Sequence, residues 1–390
     1  MSARAPACQP LELTAARMMA HVLLVASLSP ACGGGAQPVQ SAAAGAPRPT
    51  GGYRIVGRAD LRAPEAPVLA WPGTTISASV NVVADGAPVV ARFRERRGPF
   101  GTSMYQALVD GRVHGPPIAL VEGDNVIEIA RPSRGAHRID LVKRTEAMSG
   151  QSTFLGLSGV ELLAPPPPAR LSIEIVGDSN TAAYGVDGAG PRCKFSPDTE
   201  NFLNGYAWKV GVLLRADVTA TAYSGKGIVQ NYARDEKGTL GDLYPLANPF
   251  EPASVTPPPP ADVVVLFAGG NDYSYDDPKR RDPPDDRTFA EAYARLLRQI
   301  RTAHPKAPIV CVITPAIADV DGDHARSSLE SNVRAAILLT SDESTFFLAP
   351  AQADAAEQTG CDYHPNAALH DRLAVTIAKM IEHAVYSTRQ

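Results

Sequence analysis

From residue 171 onward, short uninterrupted apolar runs alternate with segments in which apolar residues recur at a helical period. The runs have the length and continuous hydrophobicity of strands buried on both faces of a parallel sheet. They lie at 171–176, 217–223, 261–268, 308–313 and 345–349. The intervening segments predict helices at 200–215, 288–302, 325–339 and 366–386. Strands joined by right-handed helical crossovers predict an α/β domain at 170–390, with a three-layer, doubly wound parallel sheet.

The hydrophobic pattern before this region is different, because apolar and polar residues alternate at a period of two. Such strands are predicted at 75–83, 89–94, 103–109, 125–130, 136–143 and 154–162. Turn residues separate them and no helical period is present, which predicts a β-sandwich of jelly-roll type at 53–164. The proline run at 165–168 is typical of a stiff connector between the two domains.

Residues 1–32 have the pattern of an export signal. Arg4 and Arg17 precede an apolar stretch at 18–28 that is too short to cross a bilayer. The sequence around Cys32 resembles a bacterial lipoprotein cleavage site, although the leucine lies four residues before the cysteine instead of three. A lipid-anchored and an unmodified exported protein both stay open. Residues 33–52 are rich in Ala, Gly, Pro and Gln, which predicts a disordered tether. We expect the chain on the outer surface or in the periplasm.

Composition supports two folded domains. The chain has 390 residues, of which 44% are hydrophobic and 20% are charged, enough for a core in each domain. The formal net charge of −4 gives no reason to expect nucleic acid or a polybasic membrane contact. A membrane contact is expected only through a lipid at Cys32.

Candidate chemistry lies where the apolar runs end. Ser179 follows the run at 171–176 after Gly177 and Asp178, where open α/β sheets place their ligands. An ordinary Gly-Asp-Ser turn is the alternative for this motif alone. The run at 261–268 ends in Gly-Gly-Asn-Asp with Asn271, and Asp-Tyr-His-Pro with His364 comes near the C-terminus.

Taken in order, these blocks resemble the SGNH (GDSL-like) hydrolase superfamily, whose fold is the same three-layer sheet. The resemblance implies that Ser179 is the nucleophile and His364 its base. It also implies that the Ser179 N–H, the Gly225 N–H and the Asn271 side chain stabilise the oxyanion. Gly227 competes with Gly225 for this role.

One position departs from the superfamily pattern. The aspartate that orients the histidine is usually three residues before it, and that position is Cys361 here. Asp362 is therefore a candidate third catalytic residue, and a backbone carbonyl that orients His364 is the alternative. The other histidines considered (His304, His324, His370 and His383) are predicted to be surface or helix residues.

The cysteines can be sorted if the chain is exported. Cys8 leaves with the signal, Cys32 is the lipidation candidate, and Cys311 lies in an apolar strand. Cys193 and Cys361 are left over, which in an exported protein predicts a disulfide. Two separate buried thiols are the alternative.

The β-sandwich in front of a GDS-type hydrolase resembles carbohydrate esterase family 2, the acetylxylan esterases. The segments at 193–201, 224–227 and 360–366 carry this resemblance. It implies a serine esterase that removes O-acetyl groups from hemicellulose such as xylan or mannan, without a metal or cofactor. The expected partner is an acetylated oligo- or polysaccharide. The aromatic residues near the motifs are candidates to stack on sugar rings: Tyr184, Trp208, Tyr273, Tyr275 and Tyr363.

Two alternatives stay open. One is a surface glycan-binding lipoprotein without catalysis, and the other is an esterase that acts on lipid or peptidoglycan acyl groups.

Overall fold

The structure, a computed structural model, describes residues 52–274, 282–320 and 323–388. The predicted signal at 1–32, the lipidation candidate Cys32 and the tether up to residue 51 lie outside the described residues, as does Tyr275. Within these ranges, no helix combines the length and hydrophobicity needed to cross a membrane.

The N-terminal half is built from two antiparallel sheets. Their strands are β1 (Tyr53–Val56), β2 (Val68–Leu69), β3 (Thr75–Val82), β4 (Val89–Arg97), β5 (Met104–Val109), β6 (Arg112–Ala119), β7 (Gly123–Ala130), β8 (Gly135–Lys143), β9 (Gly150–Ser158) and β10 (Glu161–Leu162). One sheet has the order β1-β3-β8-β5-β6, with β10 paired to β3, and the other has the order β2-β9-β4-β7.

Aromatic rings fill the space between the two sheets. The Phe93 ring lies 4.9 Å from Tyr105 and 5.4 Å from Phe154, centroid to centroid. All three side chains are buried, as the alternating pattern requires when one face of each strand points inward. Strand β6, which the pattern did not separate from its turn, is an exposed edge strand. Its two prolines are tolerated there because an edge strand has unpaired backbone groups.

The C-terminal half confirms the doubly wound parallel sheet. The strands are β11 (Ser172–Gly177), β12 (Asp217–Ala222), β13 (Val263–Phe267), β14 (Ile309–Val312) and β15 (Thr345–Leu348). They pair in parallel in the order β12-β11-β13-β14-β15. The helices are α1 (Ser179–Ala182), α2 (Tyr206–Leu214), α3 (Leu240–Leu243), α4 (Asp286–Ala303), α5 (Ala325–Thr340) and α6 (Ala367–Ser387).

Helices cover both faces of this sheet. One hydrophobic cluster joins α4 and α5 to the sheet, and a second joins α2 and α6 to it. Helix α2 begins later than the predicted residue 200, because Asn201 caps a separate 3-10 turn and Gly205 is the N-cap of α2.

Two histidines are more buried than the sequence pattern indicated. His304 follows α4 and is 3% exposed, with its Nε2 2.7 Å from Glu174 Oε2. His370 is fully buried in α6, where its Nδ1 accepts a hydrogen bond from the Tyr206 N–H. The prediction of a surface or helix position therefore holds for His370, which lies in α6. It is wrong for His304, which follows α4 and is buried because a carboxylate within the apolar strand β11 pairs with it.

The order of the strands determines where on the sheet the candidate site lies. The chain runs from β11 to β12 on one side and then crosses to β13 on the other side of β11. The carboxyl ends of these three strands therefore meet at the switch point, where doubly wound sheets bind ligands.

The two halves also share buried surface. The segment between β8 and β9 is buried and contacts the loops that precede α2, where Arg144 O accepts from the Phe202 N–H at 3.0 Å. Both halves belong to one compact unit, and the domain boundaries at 164 and 170 stay predictions.

Candidate active site

Ser179 and His364 meet at the carboxyl end of the parallel sheet. Ser179 is the first residue of α1, directly after strand β11, and Asp178 caps the helix. His364 follows the 3-10 turn Cys361–Tyr363. The distance from His364 Nε2 to Ser179 Oγ is 2.9 Å, which is the contact that a nucleophile and its general base require.

A backbone carbonyl sets the protonation of the histidine ring. His364 Nδ1 lies 3.1 Å from the carbonyl oxygen of Cys361. Since a carbonyl only accepts, Nδ1 carries the proton and Nε2 is free to accept from the Ser179 hydroxyl. Burial lowers the pKa of His364 below its usual 6.5, against the opposing effect of the Cys361 carbonyl. The ring therefore stays neutral, and able to act as a base, at pH values somewhat below 6.5.

Asp362 does not make the contact expected of a third catalytic residue. Its Oδ2 accepts from the Tyr184 hydroxyl at 2.9 Å and its Oδ1 from Lys194 Nζ at 2.7 Å. Asp362 and the next residue, Tyr363, have left-handed backbone conformations with φ of +52° and +63°, in a turn that presents the Cys361 carbonyl to the imidazole. Burial raises the pKa of Asp362, but these two hydrogen bonds bring it below its usual value. The carbonyl of Cys361 takes the orienting position.

The candidate oxyanion donors follow three neighbouring strands. Ser179 follows β11, Gly225 follows β12 and Asn271 follows β13. The Tyr223 N–H donates to Gly177 O at 3.2 Å, which holds the loop after β12 against the end of β11. Asn271 Nδ2 donates to Lys226 O at 3.0 Å, with a longer contact of 3.3 Å to Asp178 Oδ2. The longer contact is the one with which a substrate oxygen would compete.

The structure separates Gly225 from Gly227. Gly225 is partly exposed with φ of +78°, and its N–H donates to no partner among the described residues. The Gly227 N–H donates to Asn231 Oδ1 at 3.1 Å, and a Cβ at Gly227 would lie 1.9 Å from Gln230 O. Gly225 therefore has a donor to offer a ligand, whereas Gly227 is required by the packing of the loop.

Cys193 and Cys361, the predicted pair, are bonded in the structure with a Cα–Cα distance of 4.6 Å. The Asp362 N–H donates to Cys193 O at 3.0 Å, so backbone and side chains together join the loop after α1 to the loop of His364. Cys311 is a free, buried thiol in β14.

Comparison with known proteins assigns the family. Residues 175–372 match the GDSL-like Lipase/Acylhydrolase family. The chain belongs to this family. Residues 55–167 match the Carbohydrate esterase 2 N-terminal domain, so the chain combines a GDSL-like hydrolase domain with the N-terminal domain of family 2 carbohydrate esterases.

Individual relatives agree with this assignment. The chain is 31% identical to the cellulase/esterase CelE of Acetivibrio thermocellus over 334 residues, 84% of this chain and 39% of that protein. It is 24% identical to an acetylxylan esterase/glucomannan deacetylase of Cellvibrio japonicus over 262 residues, 66% of this chain and 70% of that protein. The chain thus spans less than half the length of CelE, at 39%.

A solved structure resembles the same two domains. A family two carbohydrate esterase from Clostridium thermocellum, in complex with cellohexaose, superposes with a TM-score of 0.74 at 28% identity. The match covers 85% of this chain and 98% of that one.

The loop after β12 in the GDSL-like domain is held by two buried carboxylates. Neither of them was predicted from the sequence. Asp272 accepts from the N–H groups of Ile228, Val229 and Gln230 at 2.8, 2.7 and 3.1 Å. Burial raises the pKa of Asp272 to about 6, against the effect of these bonds. Its position directly after Asn271 was the available signal. Glu146, from the β-sandwich, accepts from the Ser224 N–H at 2.8 Å and also from the Ser224 hydroxyl. No motif points to Glu146.

Of the aromatic candidates, Tyr184 is next to the candidate pair Ser179 and His364 of this GDSL-like domain. Its ring centroid lies 4.2 Å from that of His364 and 4.5 Å from that of Phe195. Phe195 in turn contacts the exposed Phe100 of the sandwich. Tyr363 is 61% exposed beside the histidine. Trp208 and Tyr273 pack against the core.

Proposed function

We propose that this chain is a serine esterase that removes O-acetyl groups from carbohydrate, with hemicellulose such as xylan or mannan as the substrate class. The observation that carries the proposal is the 2.9 Å contact between Ser179 Oγ and His364 Nε2 at the switch point of the sheet. The N–H of Gly225, which has no partner within the described part of the chain, and the amide of Asn271 lie on the neighbouring loops. A nucleophile, a base and oxyanion donors are the parts that ester hydrolysis requires.

The first half of the reaction forms an acyl-enzyme. Ser179 Oγ attacks the acetyl carbonyl carbon while His364 Nε2 takes the hydroxyl proton. The carbonyl oxygen becomes negative and is stabilised by the N–H groups of Ser179 and Gly225 and by Asn271 Nδ2. When the bond to the sugar oxygen breaks, His364 returns the proton to that oxygen. The sugar hydroxyl leaves and acetyl-Ser179 remains.

The second half releases acetate. A water molecule attacks the acyl carbon as His364 takes its proton, and the same donors stabilise the second oxyanion. The bond to Ser179 Oγ breaks and the serine recovers its proton from His364. The Cys361 carbonyl keeps Nδ1 protonated throughout, so that Nε2 alone exchanges protons with the reactants.

The carbohydrate assignment is supported by the relatives. The match to the Carbohydrate esterase 2 N-terminal domain covers residues 55–167, and a structural relative was solved with cellohexaose bound. The row of Phe100, Phe195 and Tyr184 leads from the sandwich to His364. Aromatic faces of this kind suit the apolar faces of sugar rings.

Acetate release from acetylated xylan and glucomannan tests the proposal. We expect wild-type protein to release acetate and Ser179→Ala to lose activity by several orders of magnitude. Ser133→Ala, on the exposed surface of the sandwich, is the matched control and should retain full activity. Full activity in Ser179→Ala would overturn the mechanism.

A series of p-nitrophenyl esters of increasing acyl length tests the substrate class. Preference for acetate supports the proposal, and preference for long chains would assign lipid acyl groups instead. Acetate release from O-acetylated peptidoglycan, but not from xylan or glucomannan, would assign that polymer. Retention on xylan with no turnover of any ester would indicate a glycan-binding protein.

We also propose that the chain is exported, with Cys32 as a candidate lipid anchor. A polymeric substrate must be met outside the cell, and the residues at 18–28 have the pattern of a signal peptide. Mass spectrometry of the protein from cells and medium would identify the mature N-terminus and any acyl group. A mature chain that retains residues 1–32 would contradict export.

A further inference from the structure

A buried loop of the β-sandwich reaches the active-site loop of the hydrolase domain. The loop at 144–149 connects β8 and β9, and its residues are buried. Within it, the Glu146 carboxylate accepts two hydrogen bonds from one residue, from the Ser224 N–H at 2.8 Å and from the Ser224 hydroxyl. Ser224 immediately precedes Gly225, whose N–H is a candidate oxyanion donor.

We propose that Glu146 is a positioning residue for ester hydrolysis, which acts by fixing the peptide that carries the Gly225 N–H. The inference rests on the proposed esterase function and adds to it a residue from the other domain. Glu146 does not touch the reacting atoms; it acts through Ser224.

The local packing explains why Gly225 needs such support. Gly225 has no side chain, and a Cβ built on it would meet only Tyr232 Cβ, at 4.0 Å. Side-chain packing at this position therefore does not set the direction of its N–H. The direction depends on hydrogen bonds: Ser224 is held by Glu146, the Gly225 carbonyl accepts from the Tyr232 N–H at 2.8 Å, and the Lys226 carbonyl accepts from Asn271. Of these residues, Ser224 is the one that shares a peptide bond with the Gly225 N–H. Preorganised donors contribute to catalysis because they need no reorientation as the negative charge develops.

The charged groups around Glu146 determine its pKa and therefore the pH at which its bonds to Ser224 weaken. Lys143 Nζ donates to Glu146 O at 3.2 Å, and the Glu146 N–H donates to Glu200 Oε2 at 3.1 Å. Burial raises the pKa of Tyr184 and of Tyr223, and the negative charge of Glu146 adds to the rise in both. Burial raises the pKa of Glu146 to about 7, although the Ser224 bonds and Lys143 oppose the rise.

The neighbouring carboxyl of Glu200 is shifted further in pKa than that of Glu146. Burial raises the pKa of Glu200 well above the usual value, and the charge of Glu146 raises it further. Both carboxyls therefore keep a proton to higher pH than an exposed glutamate, and Glu146, whose negative charge is favoured by the Ser224 bonds and by Lys143, is the one that ionises first. Protonation of Glu146 places a hydrogen on one acceptor oxygen and weakens its hold on Ser224.

Glu146→Gln is the test, since it keeps the shape but can accept only one of the two bonds. We expect kcat to fall about tenfold, less than the 10²–10³ that loss of a whole oxyanion donor costs, because the Gly225 N–H is displaced and not removed. KM should stay within about twofold of wild type, since the donor binds the transition state more strongly than the ground state.

The matched control is Glu174→Gln. Glu174 is also fully buried and hydrogen-bonded, to His304, Tyr244 and Thr221, but it lies in β11 and not on the active-site loops. Its replacement should lower the unfolding midpoint while kcat stays within about twofold of wild type. This variant separates a loss of stability from a loss of positioning.

The pH profile of kcat/KM is the second readout. In the wild type, activity should fall on the acid side near pH 7, as Glu146 is protonated. In Glu146→Gln this ionisation is absent, so the acid limb should move below pH 6.5 to the titration of His364. A role in stability alone would leave the position of this limb unchanged.

The outcomes are distinguishable. A folded Glu146→Gln protein with the kcat and pH profile of wild type overturns the inference, as does a rise in KM at unchanged kcat. Should this variant not fold, Ser224→Ala removes the hydroxyl bond alone, and wild-type kcat in that protein overturns the inference equally. Absence of any ester turnover in the wild type overturns the proposed function together with the inference, before any variant is measured.

Discussion

The ring of Tyr184 packs against the imidazole of His364, with 4.2 Å between the ring centroids and 31° between the ring planes. The hydroxyl of the same tyrosine donates to Asp362 at 2.9 Å. The Asp362 carboxylate is thus connected to His364 through an aromatic ring, and its hydrogen bonds go to Tyr184 and Lys194 instead of the imidazole. The Cys361 carbonyl, which comes from the backbone, holds the imidazole directly.

Asp362→Asn should therefore cost only about tenfold in kcat/KM, far below the roughly 10⁴-fold typical of a triad aspartate. Tyr184→Phe removes the hydroxyl that donates to Asp362 while it keeps the ring, and it should have a similar effect. The double variant should be no worse than the more severe single variant, because both changes act on the same contact. Steady-state kinetics on p-nitrophenyl acetate would measure all three, and a 10⁴-fold loss in Asp362→Asn would restore it as the orienting acid.

Asn271→Ala should lower kcat by about 10²–10³ with little change in KM, since its amide is proposed to bind the oxyanion. The side chain already donates to Lys226 O at 3.0 Å, so some destabilisation should accompany the change. Asn81→Ala, which removes an exposed side-chain bond to Glu161 in the sandwich, is the control. Equal kcat in Asn271→Ala and Asn81→Ala would exclude Asn271 from the oxyanion site.

Reduction of the bond between Cys193 and Cys361 should lower both stability and activity. The bridge closes a loop with a sequence separation of 168 residues, and loss of such a bridge typically costs about 2–5 kcal/mol in the free energy of unfolding. Activity should fall because the loop of His364 loses its tie to the loop after α1. Urea unfolding and kinetics with and without dithiothreitol would measure these effects.

Peptide mapping without reductant checks the pairing itself. It should yield one linked peptide pair that contains residues 193 and 361. Cys311→Ala should respond to reductant as the wild type does, because Cys311 is a free thiol. Recovery of both cysteines as unlinked peptides would refute the bridge.

His370 should make the protein less stable in acid. Burial lowers its pKa from 6.5 to about 3, so the unfolded chain binds the proton more readily than the folded protein does. The stability linked to His370 is complete above pH 6.5 and is lost as the pH falls toward 3. A shift of this size corresponds to about 5 kcal/mol over the whole range.

His370→Asn should reduce this pH dependence, because Asn Oδ1 can accept from the Tyr206 N–H but does not titrate. The exposed His383, changed to Asn, is the control. Free energies of unfolding in urea at several pH values would measure the difference. If the two variants lose stability in parallel toward low pH, His370 is not the responsible group.

The sequence predicts the parts of the site that follow strand ends. The ends of β11, β12 and β13 converge in a parallel sheet, so Ser179, Gly225 and Asn271 could be placed together from their order alone. Asp362 could not be placed, because a left-handed backbone at this residue and the next determines which group faces the imidazole. The distance in sequence between Asp362 and His364 does not show whether the backbone between them is left-handed.

Buried polar residues were harder to predict, although some signals were present. Glu174 interrupts an otherwise apolar strand, which indicates a buried partner such as His304. His370 shares a helical stripe with Ala374 and Ile377, both buried, so its burial could be read from spacing. Glu146 gave no such sign, because its partner Ser224 lies 78 residues away in a different domain.

Because the loop at 144–149 of the sandwich contacts the hydrolase domain, neither half of this chain can be exchanged independently of the other. A chimera joined at the proline run 165–168 would keep Ser179 and His364 in their own domain. A foreign sandwich without an equivalent of the loop at 144–149 would bring no acceptor to Ser224 and no carbonyl to the Phe202 N–H. During evolution, the two domains would therefore have to be transferred, duplicated or lost together.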